Sequence, residues 1–331
     1  MGIWMRARMR ARTLSVCGVV LLGALPLTAP GQPSNYPTKP IRVLVANAPG
    51  GGLDITARTV GPTVSNALGQ QLIVDNRGGA AGSLAGEITA KALPDGYTVL
   101  VGSIGPLEVN PHMYKGIGYH PLKDFAPLTF AVSGSNILVV HPTVAARTVP
   151  ELIALARGGS LTYGSTGSGN AAHLAAELFS SMAKVKMVHV PYKGGAPAMI
   201  ALLSGEVQLV FSSAPTAIPQ VKAGKVRALA VTTLKRSAVL SDLPTIAESG
   251  LPGYEMDNWF GIVTTAGTPR SIVERLNAEF VKALSQSDIK EALLRQGLEA
   301  APGTPEAFGA YMKSEYNKWG KIIAEAGIAT N

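Results

Sequence analysis

One pattern constrains this chain more than any other: an apolar run breaks into small residues and restarts as a helix, again and again. The first instance is VLVANAPGGGLDITAR, residues 43 to 58. Ile41 to Ala46 is rich in Ile, Val and Leu and reads as a buried strand. Leu53, Ala57, Val60, Val64 and Leu68 then recur at steps of four and three, which marks one face of a helix. Gly69 is placed to end it. A second strand ends at Asn76, the loop RGGAAGS leads into a helix through about Leu93, and YTVLVGS (97–103) is a third strand. Strand, loop and helix in this order predict βαβ units and a parallel sheet.

The pattern returns further on. LTYGS (161–165) reads as a strand, TGSGN as a loop and AAHLAAELFSSMA as a helix, with further strands at 186–192, 206–212 and 226–233. Two α/β halves are therefore expected. The stretch Leu128 to Pro142 and the stretch WFGIVTTAG (259–267) lie between them and predict a hinge crossed twice. Beyond Thr268 two amphipathic helices are expected, the first marked by Ile272, Leu276, Phe280 and Leu284, the second by Phe308, Tyr311 and Met312. The expected organisation is a leader at 1–31, a first part of lobe 1 at 32–135, lobe 2 at 136–255, and a return to lobe 1 with the C-terminal helices at 256–331.

The leader is read from Arg6, Arg8, Arg10 and Arg12 without an acid, an apolar run from Leu14 to about Leu27, and Ala29-Pro30-Gly31. This is the pattern of a cleavable secretory signal, and it predicts a periplasmic protein; an uncleaved anchor is the competing reading. Removing it lowers the formal charge from +8 to +4 by the loss of four arginines, too small and dispersed a surplus for nucleic acid. Cys17 leaves as well, so the exported chain has no cysteine, which excludes disulfide scaffolds, thiolate metal sites and cysteine nucleophiles.

In open parallel sheets, ligands sit beyond the carboxyl ends of the strands. The loops there are Ala48–Asp54, Arg77–Ser83, Ser103–Leu107, Thr166–Asn170, Lys193–Ala196 and Ser212–Pro215. APGGGLD, with Pro49, Gly50, Gly51 and Gly52, lacks the GK[ST] of a phosphate loop; its free N–H groups at a helix start suit another anion. Asp54 would repel that anion unless it folds back as a helix cap. Gly167-x-Gly169-x-x-Ala172 follows a strand, as a dinucleotide fingerprint does, yet the next strand ends in His189-Val190-Pro191-Tyr192 with no acid for a ribose. A second anion-binding helix start fits better, with Thr166, Ser168 and Asn170 supplying short polar groups.

Catalytic machinery is not legible. There is no G-x-S-x-G elbow, and none of the five histidines stands at metal-ligand spacing. No catalytic residue, metal or cofactor is expected. His173, in the first turn after TGSGN, could touch a ligand or serve structure; His189 reads as core. Trp259 and Tyr192 could line a cleft or pack in the interior.

The segments YPTKPIRVLV, APGGGLDITAR, DNRGGAAGSLAGE, LPDGYTVLVGS, YGSTGSGNAAHLAAELF, VPYKGGAPAMIALLSGEV, LPTIAESGLPGYE and GTPRSIVERLN together resemble the Bug family, the receptors of tripartite tricarboxylate transporters. The resemblance covers essentially the whole mature chain. It implies a two-lobed type II periplasmic binding fold, with two mostly parallel sheets flanked by helices, that closes on a small organic acid. It implies membrane permease subunits as partners, and a monomeric receptor. Carried over to this sequence, it implies ligand contacts from Gly50, Gly51, Gly52, Ser103, Thr166, Gly167, Ser168, Asn170 and Tyr192.

Two departures stand out. Many members resemble PFAPGG, with an aromatic where this chain has Asn47, so the pocket should be more polar or differently shaped. Where members often carry Asp in a GEVDL-like segment, this chain has Gln208, which removes an anchor for a cationic group and favours a plain carboxylate over an amino acid. Presentation of the ligand to a membrane signalling protein is the alternative role, and a cleft hydrolase a weaker one.

Overall fold

The computed structural model describes residues 35–326. The leader and Cys17 lie outside the described residues. The first strand, β1 (Ile41–Val45), is followed by α1 (Gly52–Leu68), β2 (Leu72–Asn76), α2 (Ser83–Ala90) and β3 (Thr98–Ser103). β1 pairs in parallel with both β2 and β3. Val43, Leu44, Val45, Leu100 and Val101 are buried with helices on both faces, which is why these strands read as unbroken apolar runs rather than alternating ones. Gly69 ends α1 in the left-handed conformation at φ 67°.

A wide turn (Gly105–Val109) and two short helices, α3 (Asn110–Met113) and α4 (Pro121–Asp124), lead into the long strand β4 (Phe125–Val140). Next come α5 (Val149–Gly158), β5 (Leu161–Ser165), α6 (Ala171–Ala183), β6 (Met187–Pro191), α7 (Gly195–Leu203), β7 (Leu209–Ser213), α8 (Ala214–Lys222) and β8 (Arg227–Val231). Strand β5 pairs in parallel with β6 and β7. The chain closes with β9 (Asp257–Thr265), α9 (Arg270–Ser285), α10 (Ser287–Leu294), β10 (Leu298–Ala300) and α11 (Pro305–Ala326).

β4 joins the two sheets. Residues Phe125 to Ser135 pair antiparallel with β9, and Asn136 to Val140 pair antiparallel with β7 and β8. The change of sheet falls between Ser135 and Asn136. The second crossing runs beside it, where Thr232 N–H donates to Asn136 O at 3.0 Å and Met256 N–H to Thr232 O at 2.9 Å. The outer strands of each sheet are parallel as expected. The strands nearest the hinge are antiparallel, because one strand serving two lobes must run against the last strand of each.

Two details differ from the sequence reading. Trp259 to Thr265 of WFGIVTTAG lie within the first sheet, paired with β3 and β4, and the actual crossing is the segment before it. Of the two places open to Trp259, the structure shows the interior, against Phe130, Phe308 and Tyr311. The C-terminal part contains α10 and the short β10, which pairs with β4, besides the two expected helices. These elements are too short for periodicity to reveal.

Candidate functional site

The first helix start is built around one carboxylate. Gly51 is the N-cap of α1 and no side chain caps it. Asp54, three positions into the helix from that N-cap, turns back instead. It accepts the Gly50 N–H at 2.9 Å and the Arg58 Nε–H at 2.9 Å. Burial pulls its pKa up, but the hydrogen bonds from Arg58, Gly50 and Asn76 and the Arg58 charge prevail, so it lies below the ordinary carboxylate range. The charge of Asp54 is thus spent on the loop and Arg58, and the first N–H groups of α1 stay uncapped.

The second lobe repeats the device without charge. Asn170 is the N-cap of α6, again with no side-chain cap. His173, at the position equivalent to Asp54, accepts the Gly169 N–H on Nδ1 at 3.2 Å. That bond requires a neutral ring with its proton on Nε2, the atom that faces Glu177 at 3.9 Å. Burial pushes the His173 pKa down to about 4, which keeps the ring in this form. His173 stacks on His189, and His189 on Tyr163. His189 Nε2 meets Ser165 Oγ at 2.6 Å, Ser165 Oγ accepts the Gly167 N–H at 3.1 Å, and Tyr163 donates to Glu177 at 2.5 Å. Burial and the His173 ring also bring His189 down to about 4, against the pull of Glu177. Gly167 has φ 120°, open to glycine at no steric cost, and a Cβ there would lie 3.1 Å from Ala81 Cα of the first lobe.

Between the lobes lies a narrow cleft with about 20 Å³ of free space. That is room for about one water, well below the roughly 300–1,000 Å³ of open small-molecule sites, so the lobes are drawn close together here. Asn47, Gly52, Ser103, Asn136, Thr166, Asn170, Ala171, Ala172, Gly195, Ser213, Asn258 and Phe260 line it. Four helix starts are among them: Gly52 begins α1, Ala171 begins α6, Gly195 begins α7, and Ser213 is the N-cap of α8. None of the four has a side-chain cap. Each such end carries about half a positive charge, so the four together present roughly +2 to the cleft. No lining residue is acidic or basic. A Cβ on Gly52 would come within 2.9 Å of Phe260 Cζ and 3.1 Å of Ser213 Oγ, which is why backbone alone fits there.

The lobes are in contact. Ala48 N–H donates to Lys193 O at 3.1 Å, Tyr114 OH to Ser168 O at 2.7 Å, and Ser103 Oγ lies 3.4 Å from Asn170 Oδ1.

Of the residues expected from sequence, Asn47, Gly52, Ser103, Thr166 and Asn170 border the cleft. Pro49, Gly50 and Gly51 form the loop leading into it, and Gly51 faces the start of α7. Gly167 and Ser168 face the first lobe beside Ala81 and Tyr114. His173 sits behind the loop, and the Tyr192 hydroxyl points outward to Glu206 at 2.7 Å. Gln208 is at the far end of β7, accepting from Thr162 N at 2.7 Å. Its identity therefore does not bear on the cleft, and the preference for a plain carboxylate rests instead on the absence of an acidic lining residue. Sequence reasoning missed Asn136, Asn258 and Phe260, which come from the hinge strands β4 and β9. Among the described residues no group of His, Cys, Asp or Glu is arranged to hold a metal.

The profile of the tripartite tricarboxylate transporter family receptors matches residues 56–328. Protein BugT of Bordetella pertussis is 33% identical over 319 residues, covering 96% of this chain and 98% of its own. Among solved structures, R. palustris Rpa4515 with adipate is 37% identical with a TM-score of 0.86, over 89% of this chain and 99% of that one. MatC from Rhodopseudomonas palustris with bound malate is 29% identical with a TM-score of 0.81, over 87% and 100%. A mixed α/β chain with two lobes on one shared strand, and this similarity along nearly its whole length, belongs to the Bug-type receptors of the tripartite tricarboxylate transporter family, which are solute-binding proteins and not enzymes.

Proposed function

We propose that this chain is an extracytoplasmic receptor that binds a small organic carboxylate between its lobes and delivers it to the membrane permease subunits of a tripartite transporter. The observation that carries this reading is the convergence of four uncapped helix starts on a cleft without a charged side chain. Backbone N–H groups at helix ends favour an anion, and surroundings as buried as Asn136, Asn170 and Phe260 strengthen each hydrogen bond. Two similar receptors have structures with adipate and malate.

In this reading residues 1–31 are a cleaved leader, the mature monomer works in the periplasm, and the lobes divide at 32–135, 136–255 and 256–331. Lobe closure follows ligand binding because the ligand touches both lobes only in the closed form. The test is a thermal-shift screen of residues 32–331 against mono-, di- and tricarboxylates. At least one acid should raise the melting temperature in proportion to the logarithm of its concentration. Stabilisation by sugars or cationic peptides alone would overturn the reading.

A further inference from the structure

We propose that Asn136 is a specificity-determining residue of this cleft, selecting acids that carry a second oxygen acceptor besides the carboxylate. This rests on the carboxylate-receptor reading and adds to it which acids are favoured. Asn136 is 1% exposed and borders the cleft at the hinge end. Its backbone is fully engaged: its N–H donates to Thr232 Oγ1 at 3.0 Å, and its carbonyl accepts from Thr232 N–H at 3.0 Å and Thr232 Oγ1 at 3.2 Å. Its side-chain Nδ2 is buried and has no hydrogen-bond partner among the described residues. A buried donor in that state is rare in native proteins and calls for an explanation.

Its position supplies the explanation. Asn136 stands directly across from Ser213 in the β4–β7 ladder, and Ser213 is the uncapped start of α8. Asn258 of the neighbouring strand, 5% exposed, also borders the cleft. The starts of α1, α7 and α8 adjoin one another: a Cβ on Gly195 would lie 3.8 Å from Gly51 Cα and 3.3 Å from Thr216 Oγ1, and a Cβ on Gly52 would lie 3.1 Å from Ser213 Oγ. One acid group can therefore occupy these helix starts while a second acceptor on the ligand meets the Asn136 amide beside them. Four helix ends with roughly +2 between them are matched better by two acid groups than by one. A methyl group at the hinge end would leave the amide unpaired, and sites built on hydrogen bonds discriminate strongly against ligands that lack the partner atom.

The experiment is calorimetric titration of wild type, Asn136→Ala and Asn136→Asp with two matched pairs, succinate against butyrate and adipate against hexanoate. Wild type should favour the dicarboxylate of at least one pair by tenfold or more. Asn136→Ala should shrink that preference below threefold by weakening the dicarboxylate alone. Asn136→Asp should weaken the dicarboxylate further, because it sets a carboxylate against a carboxylate. The unliganded melting temperature of Asn136→Ala should change little, since the variant keeps every backbone bond and removes an unpaired donor; a marked fall would mean a structural role. Equal weakening of both members of a pair, or no preference in wild type, overturns the inference while leaving the carboxylate receptor intact. Failure of wild type to bind any of the four acids, with no carboxylate stabilising it in the thermal-shift screen, overturns both.

Discussion

The two lobes begin their cleft-facing helices α1 and α6 with the same back-bond and opposite chemistry. In α1 the third helical residue is Asp54, which reaches back to the Gly50 N–H and pairs with Arg58. In α6 it is His173, which reaches back to the Gly169 N–H with an uncharged ring set in a stack with His189 and Tyr163. Both satisfy the N–H just outside the N-cap and leave the first helical N–H groups without a side-chain cap. One lobe does so with an ion pair whose arginine is half-exposed, the other with a buried neutral cluster. A loop can thus be fixed beside an anion site with or without net charge, provided the fixing group spends its charge elsewhere.

The largest expected effect comes from filling the backbone space that both loops preserve. Gly52→Val drives its side chain into Phe260 and Ser213, an overpacking cost of about 1–3 kcal/mol, which if borne by the bound form is roughly a 5- to 140-fold loss of carboxylate affinity by calorimetry. The two back-bonds are compared next by urea unfolding. Asp54→Ala strands the Gly50 N–H and releases Arg58. Because Arg58 is half-exposed its share is small, and a loss of about 1–3 kcal/mol is expected. His173→Leu strands the buried Gly169 N–H and loses the stack on His189, but releases no charge, and should cost about 1 kcal/mol, at the low end of that range. If His173→Leu proves the more damaging, the back-bonds are not equivalent.

Acid separates the lobes. The two imidazoles are held near 4, below the ordinary value of 6.5, so the unfolded chain binds more protons between those limits. Their neutral state favours folding above about pH 6.5, and that advantage is lost as the pH falls toward about 4. Glu108, which burial pushes up to about 10, contributes a slope of opposite sign, so the quantity to read is a difference between proteins. Wild type minus His173→Gln/His189→Gln should fall with pH in this window, by at most about 1.4 kcal/mol per unit for each ring. Asp54→Asn should leave that window unchanged, because the lowered carboxylate contributes fully above 3.8 and is lost only below it. The smallest effect is expected from Ser165→Ala, which cuts the link from His189 to the Gly167 N–H: about a two- to fivefold weaker ligand, near 0.4–1 kcal/mol.

Local signals carried most of the framework. Leu161–Ser165 and Ala171–Ala183 coincide with their expected bounds, because a short apolar strand, a glycine turn and a helical apolar face are all properties of neighbouring residues. The loops at strand ends were legible for the same reason. The hinge side of the cleft was not. Asn136 and Asn258 sit inside strands and look like interruptions of an apolar pattern; only the antiparallel pairing of β4 with β9 brings them near each other. Tyr192 was expected near the ligand from the family resemblance, yet Glu206, held by the following turn, draws its hydroxyl outward. Side-chain direction at a strand end depends on such partners, which sequence spacing does not encode.

The contact Ala48 N–H to Lys193 O, with Gly78 and Gly194 packed against it, is made by main chain. A clasp of that kind uses no side chain and leaves room for none at 78 and 194, where a Cβ would fall within 2.9 Å of Ala48 N. Under the proposed reading, exchanging Asn136 or Asn258, which stand apart from it, would alter the cleft while the clasp stays as it is.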